Sequence, residues 1–394
     1  MNNIAIAHKD YDVRGGGEIL AEELARTFDC PLYIAHGDPS NQPEGSDLDI
    51  RIIKPNSRYH GLMNRGGIMR AIGHCFHWRD NADSELAQYD TIITSGNEPL
   101  WWQPRDHQTV IAYTHSPPRF FRDLYHEVDG FIGRTATHIQ RALYFPRTQF
   151  PDLHIANSDR VARRIDQNWN IPDDQLRIVY PPIPTREYSP TDAPTQDYYV
   201  TVSRLDGPKR IEEIVQAFNR SGHELRIAGK GPEKDRLERI AEENIHFEGF
   251  VTETRKRELL AGAKGFVFAA LNEDFGMSPI EAMAAGTPVL GVNEGFTKYQ
   301  ILDGENGYTF ERGVGHLQEC IDHFEAEGVE WSDTEIAQFA DDRFSVHQFR
   351  RGMHEAVKEA QDRTGIVPPW MDATEVDSAA STGQQQVVSD GGAR

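Results

Sequence analysis

Short apolar runs alternate with amphipathic stretches along most of the chain, most regularly in its second half. Residues 198–203, 225–228, 245–248, 266–270 and 288–292 read as strands, and 211–220, 234–243, 254–263 and 279–285 carry helical spacing. Strands that alternate with helices across short glycine-bearing turns predict βαβ units and a parallel sheet. The first half repeats the pattern more faintly, with strands expected at 4–7, 32–35, 91–94, 110–114 and 154–157. Between the halves, five prolines fall within residues 181–194 (Pro181, Pro182, Pro184, Pro190 and Pro194), a density that predicts a semi-rigid linker. The pattern divides the chain into an α/β domain over 1–185, a second over 195–345, and a last helix over about 346–364. The stretch 366–394 is too rich in Ser, Gly, Gln and Asp to bury a core and is expected to be disordered.

Composition narrows the functional classes. The 394 residues carry 62 Asp and Glu against 41 Lys and Arg, a formal net charge of −21. That field repels phosphate backbones, which argues against a general nucleic-acid binder. Only nine of the basic residues are Lys. An acidic, Lys-poor surface suits solubility in concentrated salt, where carboxylates stay hydrated and long-range repulsion is screened; an ordinary acidic cytosolic protein is the alternative. Cys30, Cys75 and Cys320 are isolated, so neither a disulfide framework nor a multi-cysteine zinc site is expected. The first residues read as an opening strand and not as a signal peptide. No apolar run approaches the ~20 residues that span a bilayer. A cytoplasmic protein follows as the expectation.

In parallel sheets ligands sit beyond the carboxyl ends of the strands, so chemistry is sought in the turns that follow them. The run from Asn272 to Val289 follows one strand and opens a helix, with Glu273 and Glu281 on either side of the turn. The N–H groups of Phe275, Gly276 and Met277 would point from that helix entrance toward an anion. Glu281 has a second reading, because Ser278-Pro279-Ile280-Glu281 fits a capping box with proline at the first helical position. Upstream, Arg204, Lys209 and Arg210 stand before a helix N-terminus, against its macrodipole. A bound diphosphate removes that conflict; a solvated basic turn is the alternative. Gly229-Lys230-Gly231 closes a further strand with small residues that let a nucleotide approach the backbone. Asp47-Leu48-Asp49 lies in a loop and not after a strand, and His74 and His77 lack a third ligand, so no metal site is expected.

Taken in order, Asn157-Ser158, Tyr180-Pro181-Pro182, Ser203-Arg204 with Lys209, Gly229-Lys230-Gly231-Pro232, Glu273 with Glu281, and Gly286-Thr287-Pro288-Val289 resemble the donor-binding half of the GT-B glycosyltransferases, specifically the retaining family 4. The resemblance implies two Rossmann-like domains facing across a cleft, with the last helix returning to pack on the first. It implies that Arg204 and Lys209 neutralise the donor diphosphate, Glu281 bonds the nucleotide ribose and Glu273 holds hydroxyls of the transferred sugar. In the first half, Arg14-Gly15-Gly16-Gly17-Glu18 occupies the place of that family's glycine-rich loop near the diphosphate and acceptor, with a plain flexible turn as the alternative. Thr114-His115-Ser116-Pro117-Pro118-Arg119 is similar to the segment of mannosyltransferase-like members in which the histidine lines the sugar pocket. One departure stands out. Where the family carries Gly-Gly-x-x-Glu, this chain has Gly295, Phe296 and Tyr299.

From Arg51 to Arg79 six basic residues occur without an acidic one, which leaves −27 on the rest of the chain. Arg58, Arg65 and Arg70 lie in this island among apolar residues, and Arg119 opens a second Arg-aromatic stretch. Such segments suit an anionic membrane surface at the cytoplasmic face, or a phosphorylated lipid acceptor. An ordinary helix with its charges paired to nearby acids fits equally. The implied reaction moves a hexose, mannose first, from a nucleotide diphosphate sugar to an acceptor hydroxyl. Polyprenyl-phosphate-linked glycans are among the acceptors of related enzymes. The nucleotide sugar is a substrate, and neither cofactor nor metal is implied. A transferase with a soluble acceptor of the sucrose or trehalose type, and a non-catalytic nucleotide-sugar-binding protein, are the competing readings.

Overall fold

The computed structural model describes residues 3–43, 45–65, 68–118, 142–190 and 195–365. Two parallel sheets organise it. The first contains β1 (Ile4–His8), β2 (Leu32–Ile34), β3 (Ile50–Ile52), β4 (Thr91–Ser95), β5 (Thr109–Thr114), β6 (Leu153–Ala156) and β7 (Leu176–Ile178), in the spatial order β3-β2-β1-β4-β5-β6-β7. The second contains β8 (Tyr199–Val202), β9 (Leu225–Ala228), β10 (Ile245–Gly249), β11 (Gly265–Phe268), β12 (Val289–Val292) and β13 (Gly307–Phe310), in the order β10-β9-β8-β11-β12-β13. Central strands such as β4 and β5 are buried along their whole length. Their Thr-, Ile- and Val-rich runs suit strands covered by helices on both faces.

In each sheet the strand order reverses once: between β1 and β4, and between β8 and β11. Such switch points open a crevice at the carboxyl ends of the flanking strands. The glycine-rich loop follows β1 and Ser95 ends β4; Arg204 follows β8 and Glu273 follows β11. The fold thus delivers the candidate residues of each half to the two crevices.

The chain crosses between domains twice, and the crossings run side by side. Ile183 N–H donates to Phe344 O (3.0 Å) and Val346 N–H to Ile183 O (3.1 Å). The Val346–Thr364 helix then buries Phe349, Met353, Ala356, Val357 and Ala360 in the core of the first domain, and Arg350 Nε reaches Glu23 Oε1 at 2.7 Å. Tyr180, at the start of the linker, packs against Phe275, Phe296 and Phe344 with ring centroids 5.1–6.0 Å apart. This aromatic cluster seats the linker on the second domain.

Buried histidines should make the first domain acid-sensitive. Burial, aided at His77 by the nearby His60 and His74, pushes the imidazoles of His77 and His154 down to about 4. The unfolded chain takes up protons near 6.5 while the folded chain resists until about 4, so stability rises with pH across that window and is lost on acidification. Each group should contribute on the order of 2–3 kcal/mol to the loss. Urea midpoints are expected to fall between pH 7 and pH 4.5, with a shallower slope in His154→Gln; identical slopes would contradict this origin.

Candidate active site

On the second-domain side, Lys209 ends a single 3-10 turn (Gly207–Lys209), and its Nζ lies 2.6 Å from Glu273 Oε2. Both side chains are only partly exposed, and Lys209 also faces the Phe268 ring. Arg204 is mostly exposed, held by Asp206 at 3.2 Å. Gly229 has φ +146, and a β-carbon there would lie 1.8 Å from Ser203 O, so the neighbouring strand end requires glycine whatever ligand binds. Lys230, between the glycines, sits over the exposed Phe250 ring.

The helix after β11 removes the capping reading of Glu281. It runs Met277–Ala284, two residues longer at its start than the proline suggested, with left-handed Gly276 as its cap. Ser278 is therefore inside the helix and is not its cap. The Glu281 carboxylate, almost fully buried, instead takes Lys256 Nζ at 3.1 Å. Lys256 comes from the Glu253–Ala261 helix, also meets Glu253 at 2.9 Å, and lies over the buried Tyr188 ring. Gln300 Nε2 donates to Phe275 O (2.7 Å) and Gly276 O (3.1 Å), which locks the turn whose first amides lack helical partners.

On the first-domain side, the Gly16–Phe28 helix starts in the glycine-rich loop, where Glu18 Oε2 accepts the Gly15 N–H at 3.0 Å. A β-carbon on Gly17 would touch both His115 and His8 at 3.8 Å, and one on Gly16 would lie 2.9 Å from Met277 Sδ. The loop thus joins His115 to the helix entrance of the other domain. His115 Nε2 meets Ser95 Oγ at 2.8 Å, and its carbonyl accepts from Asn157 Nδ2 at 2.8 Å. Burial, with positive charge on neighbouring groups, pushes its imidazole down to about 3.

Asp274, next to Glu273, ties the halves together. Its carboxylate takes Arg164 Nη1 at 2.8 and 2.9 Å and Arg160 Nε at 3.3 Å, and its carbonyl accepts from Ser158 Oγ at 2.6 Å. Ser158 also caps the Asp159–Trp169 helix that carries both arginines. Asp274, Arg160, Arg164, Lys256, His8 and Ser95 were not singled out by sequence. The i, i+4 arginine pair behind a Ser cap was the available signal.

The departure from the family pattern has a packing origin. Phe296 is fully buried and stacks on Phe275 at 5.5 Å, while Tyr299 lies under the Arg163 guanidinium at 5.1 Å. The basic island is largely neutralised. Arg51 pairs with Asp49, Arg58 and Arg79 with Asp80, and Arg70 with both Asp10 and Asp12. Arg70 therefore faces the interior of the loop after β1, whereas Arg58 and Arg65 are exposed. Arg119 and the tail at 366–394 lie outside the described residues.

Comparison with known proteins matches two family models end to end: Glycosyltransferase Family 4 over residues 15–187 and Glycosyl transferases group 1 over residues 188–335. The chain belongs to the GT-B glycosyltransferases of family 4. Among curated relatives, the alpha-1,3/1,6-mannosyltransferase ALG2 of Dictyostelium discoideum is 22% identical and aligns with 91% of this glycosyltransferase and 98% of itself. The lipopolysaccharide core biosynthesis glycosyltransferase LpsE of Rhizobium meliloti is 26% identical over 46% of this chain and 55% of its own. Among solved structures, sucrose-phosphate synthase from Thermosynechococcus elongatus superposes with a TM-score of 0.68 at 18% identity, covering 90% and 98% of the two chains. HepE from Anabaena, in complex with UDP and glucose, gives 0.66 at 17%, covering 90% and 99%. Among the described residues of this glycosyltransferase, no helix is long and apolar enough to cross a membrane.

Removing the carboxylate at Asp274 should be costly, because it meets both Arg164 and Arg160 of the opposite domain in a part-buried position. Asp274→Asn is expected to lose about 2–4 kcal/mol in urea unfolding. An unchanged midpoint would show that the interdomain pair contributes nothing to stability.

Proposed function

We propose that the chain is a retaining mannosyltransferase that moves mannose from a nucleotide diphosphate sugar to the hydroxyl of a glycan acceptor, lipid-linked in the first instance. The observation that carries the reading is the convergence of Lys209, Glu273 and the Met277 helix entrance at one switch point, joined through Gly16 and Gly17 to His115 at the other. The mannose assignment leans on the His115 segment and on the printed activity of the ALG2 relatives.

The chemistry follows from charge. As the glycosidic bond to the diphosphate breaks, positive charge grows on the sugar ring and negative charge on the leaving phosphates. Arg204, Lys209 and the amides at Phe275, Gly276 and Met277 stabilise the leaving group without a metal. A donor phosphate would draw Lys209 away from Glu273, freeing that carboxylate for sugar hydroxyls. Lys256 holds Glu281 fixed for the ribose. Closure of the two domains excludes water that would otherwise hydrolyse the donor. The acidic, arginine-rich surface is read as adaptation to salt.

A soluble acceptor is the second reading, and the paired island favours it. Four of the six island cations already meet carboxylates, so attraction to an anionic membrane at the cytoplasmic face rests on Lys54, on Arg65 and on the exposed Arg58, whose contact with Asp80 at 3.5 Å is the longest of the four pairs. Flotation with anionic liposomes separates the two: recovery that drops in Arg58→Glu/Arg65→Glu supports the lipid surface, and equal recovery supports the soluble acceptor.

Turnover tests catalysis itself. Lys209→Ala and Glu273→Ala should each lower kcat/KM for donor consumption by about 10²–10³. Absence of transfer and of donor hydrolysis in the wild type, with every common nucleotide sugar, would leave a binding protein in place of an enzyme.

A further inference from the structure

The first-domain crevice contains a chain of polar groups that ends on His115 and is not explained by packing. His8 and Ser95 are fully buried, at the ends of adjacent strands β1 and β4, and Glu18 is nearly so. His8 Nδ1 lies 3.1 Å from the Ser95 carbonyl oxygen and 2.9 Å from Ser95 Oγ. Ser95 Oγ lies 2.8 Å from His115 Nε2. On the far side of His8, Nε2 faces Glu18 Oε1 at 3.5 Å, while the other Glu18 oxygen holds the glycine-rich loop at Gly15.

The carbonyl decides where the protons sit. A backbone carbonyl only accepts, so His8 Nδ1 must carry hydrogen; a lone pair there would face the lone pairs of Ser95 O. That N–H also points at Ser95 Oγ, which accepts it. The hydroxyl's own proton is then left for His115 Nε2. His115 accepts at Nε2, and its remaining proton lies on Nδ1. The ring is neutral near pH 7, because burial, with the Lys9 charge nearby, disfavours its cation more than Glu18 favours it.

We infer that His8 and Ser95 are positioning residues that fix His115 as its Nδ1–H tautomer, so that it presents a hydrogen-bond donor, not an acceptor, to an oxygen of the transferred sugar. Among the described residues Nδ1 has no partner, and His115 as a whole keeps partial exposure. The geometry within the protein stands without the transferase reading; only the identity of the accepting oxygen rests on it. The opposite tautomer would set two acceptors against each other, the imidazole nitrogen and the sugar oxygen, unless the sugar hydroxyl itself donated. The chain therefore selects which polar atom of the substrate can sit there. It also lies against the loop, because Glu18 faces His8 at 3.5 Å and accepts the Gly15 N–H.

Nitrogen-15 NMR of histidine-labelled full-length protein at pH 7.5 reads the tautomer without a substrate. The His115 signals, assigned by their loss in His115→Gln, should show a protonated Nδ1 and an unprotonated Nε2. Ser95→Ala should shift them toward the Nε2–H form, and Ser95→Thr, which keeps the hydroxyl, should restore the wild-type pattern. An Nε2–H tautomer in the wild type, or signals that do not move in Ser95→Ala, overturns the inference. In a transfer assay Ser95→Ala should lower kcat about tenfold with donor KM little changed, and Ser95→Thr should recover most of it. A kcat unaffected by Ser95→Ala, with transfer demonstrated in the wild type, also overturns the donor role. If the wild type transfers nothing, the transferase reading fails while the NMR result still decides the tautomer.

Discussion

The site depends on one electrostatic join, the carboxylate of Asp274 held between Arg160 and Arg164 of the opposite domain. Each crevice alone is an ordinary switch point of a parallel sheet. Chemistry that needs groups from both requires the domains to meet in one registration, and Asp274 supplies it one residue away from Glu273. Ser158 binds the same residue through its carbonyl and caps the arginine-bearing helix, so helix, pair and loop are fixed together. The double crossing at Ile183 and Phe344 provides the pivot, and the aromatic cluster around Tyr180 seats it.

Charge is distributed with the same economy. A net −21 would repel a diphosphate, yet the basic groups at the second switch point are kept within reach of one. Lys209 is balanced by Glu273, and Lys256 by Glu281 and Glu253, so cations persist in the site without a ligand. The island over Arg51–Arg79, the larger basic feature by count, is spent on local ion pairs. Sequence charge runs overstate binding surfaces wherever the partners lie close in space and far in sequence, as Asp10 and Asp12 do for Arg70.

Most of the fold was legible because central strands are buried on both faces and so appear as apolar runs. The strands that escaped notice are β3, β7 and β13. Each lies at the edge of its sheet, and Ile50-Arg51-Ile52 or Leu176-Arg177-Ile178 alternates too briefly to stand out. The residues gathered at the second switch point were legible from their turns, and so was His115. The helix start at Met277 was not, because Pro279 marks a first turn without saying which of its positions it occupies. Lys256 and the Glu18–His8–Ser95 chain were invisible for a different reason. Their partners are brought together by strand order, which a linear pattern does not record.

The claim on which the rest stands is that a diphosphate binds at the β8/β11 switch point against Lys209. A thermal-shift panel of nucleoside diphosphates and their sugars, run on the wild type and Lys209→Ala, tests it most directly. One base should raise the melting temperature, worth about 2.7 kcal/mol at a hundredfold excess over Kd, and Lys209→Ala should abolish most of that shift. A wild type indifferent to every nucleotide, or a variant that shifts as much as the wild type, would contradict it.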